Sequence, residues 1–440
     1  MLIATKQIGN SIAASLTALL SGKSLANRLS ISVAALGIVI LILAASALSW
    51  NDGILGFRPQ EPIHHAVSAE LYDDHMGVAG ENIGPKDMHN LGATWIYHWS
   101  PTPDGYPAGM FRTGVYHIPA TFRLGYYWWN QQGFYFGDHG CGDQACRNAI
   151  DAKVAAYLDQ VLANDSHYYV LGNEPNEPGS DSDGDAHNQA YNVYIRQYKT
   201  LVDVILAREQ AQFGTTDRVR IVGPSMSNWT HKGANGRAWL TGVAADRDRY
   251  PGFLDAYKAL WGGYPRMDVL NIHLYEEYPN VISGNPNYIN GDGSWYGTNA
   301  ASHLRLDLQD FRNTLDSVAG GVYRGKPIWI TEFGMVHCPA GANNPSLSSC
   351  PNPNDPYVVT AMRKLLYDSQ DALIPFFHNN ASPVGLNVER WFIFTSHSGA
   401  AGRYYPLTLL GDSLRADGAY HITGYGDLYR ALSTQYATRR

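Results

Sequence analysis

Tyr168-Tyr169-Val170-Leu171-Gly172-Asn173-Glu174-Pro175 is the stretch from which the rest of the chain can be read. Four residues with strand preference run into a glycine, and the proline after the glutamate forbids further ladder pairing. The stretch predicts a short buried strand that stops at an Asn-Glu pair. In α/β sheets, open or closed, the carboxyl ends of the strands carry the chemistry. A second stretch, Pro327-Ile328-Trp329-Ile330-Thr331-Glu332-Phe333-Gly334, repeats the form. It too is a short apolar strand that ends in Glu and then Gly. Two strand-terminal glutamates are thus expected at one end of one sheet.

Outward from these two stretches, strand-like runs alternate with helical ones. The runs are Thr94–Trp99, Val115–Ala120, Tyr168–Leu171, Val219–Pro224, Val269–Tyr275, Ile328–Phe333 and Arg390–Thr395. Between them, Ala149–Ala163 and Val193–Glu209 carry apolar residues at helix spacing, and Leu304–Val318 and Val358–Ser369 are further helix candidates. Alternation of this kind predicts parallel βαβ units. With about 350 residues available, a (β/α)₈ barrel fits best. Seven strands are visible. The eighth is expected before residue 168, near Gly125–Trp129 or in the mixed lead-in over 51–90. The expected organisation is a basic and apolar segment over 1–50, the lead-in over 51–90 and the barrel over 91–440. Long loops rich in Gly, Pro, Asn and aromatics follow several strands, at Trp99–Met110, Pro175–Asp185, Glu276–Asn299 and Val336–Asp355. Such loops shape a cleft at one barrel face.

Composition narrows the function. Of the 440 residues 45% are hydrophobic and 16% charged, so a large core can form and global disorder is excluded. The formal net charge is -7 with no long basic run after residue 30, which argues against a nucleic-acid partner. Lys6, Lys23 and Arg28 precede an uncharged apolar run, Ile31 to Trp50. That run is long enough to span a bilayer, with the amino terminus inside. The competing reading is a signal peptide cleaved near Ala47, at the A-x-A-like Ala45-Ser46-Ala47. Both place the rest of the chain outside the cytoplasm. The four cysteines agree: Cys141 with Cys146, and Cys338 with Cys350, form two local pairs expected to staple loops as disulfides. His139 and His337 beside them keep a zinc site as the rival, but C-x₂-C spacing is absent. Asp181-Ser182-Asp183-Gly184-Asp185 resembles part of a calcium loop but lacks the closing glutamate, and a solvated acidic loop is expected. No phosphate-binding loop, dinucleotide fingerprint or H-E-x-x-H helix is present, so neither a cofactor nor a catalytic metal is expected.

Two carboxyls facing one another across a sugar are what glycosidic cleavage needs: an acid for the leaving oxygen and a carboxylate for the anomeric carbon. Glu174 and Glu332 are the candidates. A raised pKa is expected at the acid, Glu174, and an ionised state at Glu332. Asn173 can donate to a sugar hydroxyl or orient the nucleophile. In Val269–Tyr275 the period-two alternation puts His273 and Tyr275 on one face, where the phenol can donate to a carboxylate. His98 and Trp99 end the first visible strand, and Trp391 on the last offers a flat face for a sugar ring. Each also has a plainer reading, as a turn residue, a structural histidine or a core aromatic. His117, Trp128, Trp129 and Tyr135 are weaker candidates of the same kind.

Leu171–Pro175, His273-Leu274-Tyr275, Trp329–Gly334 and Trp391 together resemble clan A glycoside hydrolases. The set is most similar to glycoside hydrolase family 128, through Trp95-Ile96-Tyr97-His98-Trp99, Val115–Pro119, Asn173-Glu174-Pro175 and Pro327–Phe333 in that order. The resemblance spans about residues 91 to 396. It implies a retaining (β/α)₈ enzyme with Glu174 as acid/base, Glu332 as nucleophile and a β-1,3-glucan as substrate. His98 stands where that family usually has Asn, and the Cys141–Cys146 loop looks additional. Families 5 and 39 share both glutamate motifs, so a β-mannoside, β-xyloside or other β-glucoside stays open. So do transglycosylation through the same intermediate and a non-catalytic carbohydrate-binding surface protein on a barrel scaffold. The aromatic loops favour an open cleft and endo action on a polymer.

Overall fold

A computed structural model describes residues 73–80, 83–99, 117–124, 144–161, 167–177, 190–227, 229, 236–243, 251–277, 294–336, 353–354, 356–368, 372–396 and 408–437. The chain divides into two units, Met1–Glu70 and Leu71–Arg440, and every described residue belongs to the second.

Eight parallel strands are present among them: β1 (Met76–Ala79), β2 (Trp95–Tyr97), β3 (Ala120–Phe122), β4 (Tyr168–Leu171), β5 (Arg220–Val222), β6 (Leu270–Glu277), β7 (Ile328–Val336) and β8 (Val388–Phe394). Ladders join β2-β1-β8-β7-β6 and β3-β4-β5. Single parallel bridges connect the two groups, Trp95 to His117 on one side, Val222 to Val269 and Met226 to Ile272 on the other. The order is therefore cyclic, and the eight strands close into a barrel with no free edge.

The eighth strand is β1, inside what the sequence suggested was lead-in. The barrel begins by Met76, before the expected boundary at 91. Met76-Gly77-Val78-Ala79 is weak as a strand signal because of its small residues, and packing requires them. A Cβ on Gly77 would come 2.4 Å from the Phe392 ring. The segment Gly125–Trp129 lies outside the described residues.

Strand alternation separates two cores. Ala79, Trp95, Tyr97, Val170, Val222, Val269, Trp329 and Phe392 fill the barrel interior. The opposite parity (Val78, Ile96, Tyr169, Ile221, Ile272, Ile330, Trp391) packs outward against the helices. The helices that cover it include α1 (Pro85–Leu91), α2 (Gln144–Val161), α3 (Ala190–Phe213), α4 (Gly236–Thr241), α5 (Gly252–Trp261), α6 (Ser294–Ser317), α7 (Pro356–Arg363), α8 (Leu373–Asn379) and α9 (Gly424–Gln435). An antiparallel hairpin, β9 (Leu410–Leu414) and β10 (Tyr420–Ile422), precedes α9. The Thr423 hydroxyl caps α9 by accepting from Gly426 N–H at 3.0 Å. Ser433 in the same helix accepts the Asp73 N–H on its carbonyl at 3.1 Å, tying the last helix to the first strand.

No helix among the described residues is long and apolar enough to cross a membrane. The segment Ile31–Trp50, Ala47, the loop Asp181–Asp185, Trp128, Trp129 and Tyr135 all lie outside the described residues. So do Cys141, Cys338 and Cys350, while Cys146 falls in α2 with its side chain outside the description.

Candidate active site

The carboxyl ends of β2, β4, β6 and β7 bring the expected residues together inside the barrel mouth. The β4 strand ends through two residues with positive φ, Gly172 at 93° and Glu174 at 48°. Gly172 must be glycine on a second count: a Cβ there would meet the Tyr194 hydroxyl at 1.7 Å. This turn brings the Glu174 side chain to His273, and its N–H donates to Ser225 O at 2.9 Å.

Glu332 reaches the same space by a different device. Simple alternation along β7 would put Trp329, Thr331 and Phe333 inside and turn Glu332 outward. Instead Ile272 pairs with Ile330 and His273 with Glu332, so β7 has one extra residue at Thr331. The β8 side shows the same extra residue, with Ile330 opposite Trp391 and Phe333 opposite Ile393. A β-bulge re-aims the side chains that follow it. Thr331 and Glu332 both belong to the inner side, and Phe333 packs outward against Phe377.

The resulting contacts are short and directional. Tyr275 OH donates to Glu332 Oε2 at 2.5 Å, and Trp99 Nε1–H donates to Glu332 Oε1 at 2.7 Å. His273 Nδ1 lies 2.9 Å from Glu174 Oε1 and 3.6 Å from Glu332 Oε2. One donor atom from each of Glu174, His273 and Glu332 lies within 4.8 Å of the other two. Tyr97 OH donates to Asn173 Oδ1 at 3.1 Å, which fixes the orientation of that amide. Behind the imidazole, Nε2 is 3.0 Å from Thr331 Oγ1, whose hydroxyl donates to Asn271 Oδ1 at 2.8 Å. With the threonine proton so committed, the Nε2–H donates to Thr331 Oγ1. Nδ1 then faces Glu174 Oε1 across 2.9 Å, a hydrogen bond whose one proton lies between carboxyl and imidazole.

Charge and burial follow from this packing. The Glu174 side chain is 22% exposed and that of Glu332 only 6%, so Glu174 is the wetter of the two. Burial pushes the Glu332 carboxyl above its ordinary range; the His273 charge opposes this, the Glu174 charge adds to it, and the Tyr275 and Trp99 donors pull it back. The sequence expectation of a readily ionised Glu332 thus meets an upward push at that carboxyl, because β7 carries it deep. Burial lowers His273, but the Glu332 charge and the hydrogen bond and charge of Glu174 outweigh it, with Arg123 in opposition, so its pKa is raised.

Two expected residues lie elsewhere. Trp391 is fully buried on the outer side of β8, its ring stacked on His75 and packed against Phe377 and His378. Period-two parity along β8 puts Arg390, Phe392 and Phe394 inward, so Trp391 offers no face to a ligand in the barrel mouth. His98 is buried beside Trp99, with ring centroids 6.4 Å apart, on the strand parity opposite to Tyr97 and Trp99. His117, a weaker candidate, stacks on Trp95 at 4.6 Å. The residues that sequence reasoning missed are Tyr97, Asn271 and Thr331. Tyr97 and Asn271 could have been found by extending the period-two faces of β2 and β6 inward from Trp99 and His273. Thr331 could not, since the bulge breaks the pattern.

Glu174, His273 and Glu332 also form a donor set that a cation could use. In this arrangement both Glu332 oxygens accept from donors, and His273 Nδ1 is engaged by Glu174.

No protein-family model matches the chain, and no curated protein matches it. Solved structures similar to it include an endo-β-1,3-glucanase of glycoside hydrolase family 128, subgroup I, from Amycolatopsis mediterranei, solved with laminaritriose. It is 17% identical, with 81% of this chain and 99% of that chain covered and a TM-score of 0.41. A subgroup III curdlan-specific exo-β-1,3-glucanase from Blastomyces gilchristii, solved with glucose, is 17% identical over 81% and 97% of the two chains, with a TM-score of 0.40. A glucosidase from Croceicoccus marinus is 13% identical over 84% and 69%, with a TM-score of 0.47.

Proposed function

We propose that this chain is a retaining β-glycoside hydrolase, with Glu332 as nucleophile and Glu174 as acid/base. The observation that carries the proposal is the spacing of donor atoms within 4.8 Å across Glu174, His273 and Glu332. Retaining enzymes hold their two carboxyls about 5–5.5 Å apart, whereas inverting ones need about 6.5–9.5 Å to admit a water.

The hydrogen bonds divide the roles. Both oxygens of Glu332 accept from donors, Tyr275 and Trp99, which favours an ionised, fixed carboxylate. Glu174 is more exposed and shares a proton with His273. In the first step a Glu332 oxygen bonds to the anomeric carbon. The glycosidic bond breaks, and its oxygen leaves with the proton held by Glu174. In the second, a water attacks the same carbon, Glu174 takes one of its protons, and the bond to Glu332 breaks. Two inversions give net retention.

The motif resemblance favours a β-1,3-glucan as substrate, and the aromatic loops favour cutting it internally. We place the catalytic part outside the cytoplasm, anchored through residues 31–50 or released by cleavage near Ala47.

The test is product release by the full chain from a panel of β-glycans, laminarin-type β-1,3-glucan first, beside Glu174→Gln and Glu332→Gln. Oligomers released from β-1,3-glucan and lost in both variants support reaction and substrate together. Release only from another β-glycan keeps the two glutamates and discards the substrate. Near-normal turnover by Glu332→Ala without azide sinks the mechanism.

A further inference from the structure

The extended segment Ser225–Ser227 after β5 lies between the two backbones that carry the shared proton. On one side Asn173 bridges Ser225, and the Glu174 N–H donates to the Ser225 carbonyl at 2.9 Å. On the other, Met226 bridges Ile272, and the Met226 carbonyl accepts the His273 N–H at 2.9 Å. The backbones of Glu174 and His273 are thus both registered on one short segment, and their side chains meet at 2.9 Å.

Asn176 holds that segment. Its Nδ2 donates to Ser227 O at 2.8 Å and lies 3.3 Å from Ser227 Oγ, and its Oδ1 accepts the Ser227 N–H at 3.1 Å. One side-chain amide therefore binds both backbone polar groups of one residue, as a neighbouring strand would. Asn176 is 2% exposed and Ser227 3%, so water does not compete for these bonds. The Ser227 hydroxyl donates to Glu177 Oε1 at 2.6 Å, and Glu177 N–H donates back to the Glu174 carbonyl at 2.9 Å. Gly236 closes the other side: a Cβ there would come 2.8 Å from the Ser227 carbonyl oxygen. Such holding is needed. At φ 48° Glu174 sits in a backbone region that strains a non-glycine residue and persists only where the surroundings impose it.

We propose that Asn176 is a positioning residue: its amide clamps Ser227 and thereby sets the spacing at which Glu174 and His273 share their proton. The catalytic consequence rests on the glycosidase reading above; the spacing itself does not. Charged and titratable groups facing His273 among the described residues are Glu174 after β4, Glu332 on β7, Arg123 after β3, Tyr97 on β2 and Tyr275 on its own strand. Of these, Glu174 is the one carried on the clamped loop.

The experiment compares the full chain with Asn176→Ala, Asn176→Asp and Ser227→Ala, each checked for folding by circular dichroism. The imidazole of His273 is titrated by NMR, its signal identified by its loss in His273→Asn. In Asn176→Ala the His273 midpoint should fall by about half to one pH unit as the bond to Glu174 loosens. The value of kcat should fall about 10- to 100-fold, with KM changed less than about threefold, as expected of a displaced acid rather than lost binding. Ser227→Ala keeps the backbone clamp and should titrate as wild type. A folded Asn176→Ala with an unmoved His273 midpoint overturns the proposal, whatever its activity. If Asn176→Ala fails to fold, Asn176→Asp gives the same test, since it keeps the bond from Ser227 N–H and loses the one to Ser227 O. A shifted midpoint in a protein that cleaves no glycan supports the clamp and removes the glycosidase reading. Unchanged midpoint and kcat, in a protein that needs Glu332 for turnover, keep that reading and remove the clamp.

Discussion

Replacing Tyr275 by phenylalanine takes one hydroxyl from the site and leaves the packing. That hydroxyl donates to Glu332 Oε2 at 2.5 Å. The ring is held by edge contacts to His273 at 6.2 Å and Phe394 at 5.7 Å between centroids, and both survive the change. A hydrogen bond to a charged group contributes about 1.5–3 kcal/mol. The bond favours the ionised carboxyl, so at about 1.4 kcal/mol per pH unit its loss raises Glu332 by about one to two units. Trp99 keeps its donation to Oε1 at 2.7 Å, which argues for the lower end, about one unit. The sign for activity follows directly. Glu332 must be ionised to attack, so activity disappears as the pH falls through its pKa. In the wild type that limb should already lie above the ordinary carboxyl range, because burial and the Glu174 charge push Glu332 up. In Tyr275→Phe it should move up by about one further pH unit in a profile of kcat/KM. A limb that coincides with the wild type, with only the plateau depressed, would mean that the phenol serves the substrate and not the carboxylate.

Trp391→Ala should cost about 3–5 kcal/mol in denaturant unfolding, as for any large core aromatic, while the folded enzyme keeps its kcat/KM within a few-fold. A loss of substrate affinity at intact stability would contradict its place behind the barrel wall. Gly172→Ala should destabilise by about 2–4 kcal/mol, from the positive φ and the clash with the Tyr194 hydroxyl. Adding Tyr194→Phe should recover part of that loss, and a double-mutant cycle showing no coupling would refute the clash. Glu332→Gln should raise the thermal midpoint at neutral pH. A carboxyl whose folded pKa exceeds its unfolded one carries a cost when ionised, so the gain should vanish as the pH falls below the unfolded value; an equal gain in acid would deny that cause.

What the sequence made legible was the part where side-chain type and local period agree. The strands ending in Glu174 and Glu332 were readable because a glycine or proline closes each. The His273–Tyr275 face was readable because β6 alternates without interruption. The parts that were not legible share a cause: they depend on what lies opposite. β1 is short and small-residued because the Phe392 ring occupies the space a side chain at Gly77 would need. Trp391 looked like a platform because a tryptophan near a strand end invites that reading. Only the parity of β8, with Arg390, Phe392 and Phe394 inward, reveals that Trp391 faces away from the site, to which Trp99 among the described residues brings an indole.

The bulge in β7 shows why parity must be read from pairing and not from the strand alone. In Ile328-Trp329-Ile330-Thr331-Glu332-Phe333 an unbroken alternation turns Glu332 toward the helices, where a carboxylate would be buried among the outer core residues without donors. The extra residue at Thr331 inverts that outcome. It turns Glu332 toward Tyr275 and Trp99, both within 2.7 Å, and sends Phe333 into the outer core against Phe377. The same insertion leaves the Thr331 hydroxyl inside, where it meets His273 Nε2 and fixes the ring that faces Glu174. One inserted residue therefore places both the nucleophile candidate and the support for the acid. Deleting Thr331 should consequently abolish turnover and cost more stability than Glu332→Ala, because the rest of β7 would present Glu332 to the outer core. A Thr331 deletion that folds with wild-type stability and keeps its activity would show that the register can slip without loss, and the division of roles argued for Glu174 and Glu332 would then have no structural basis.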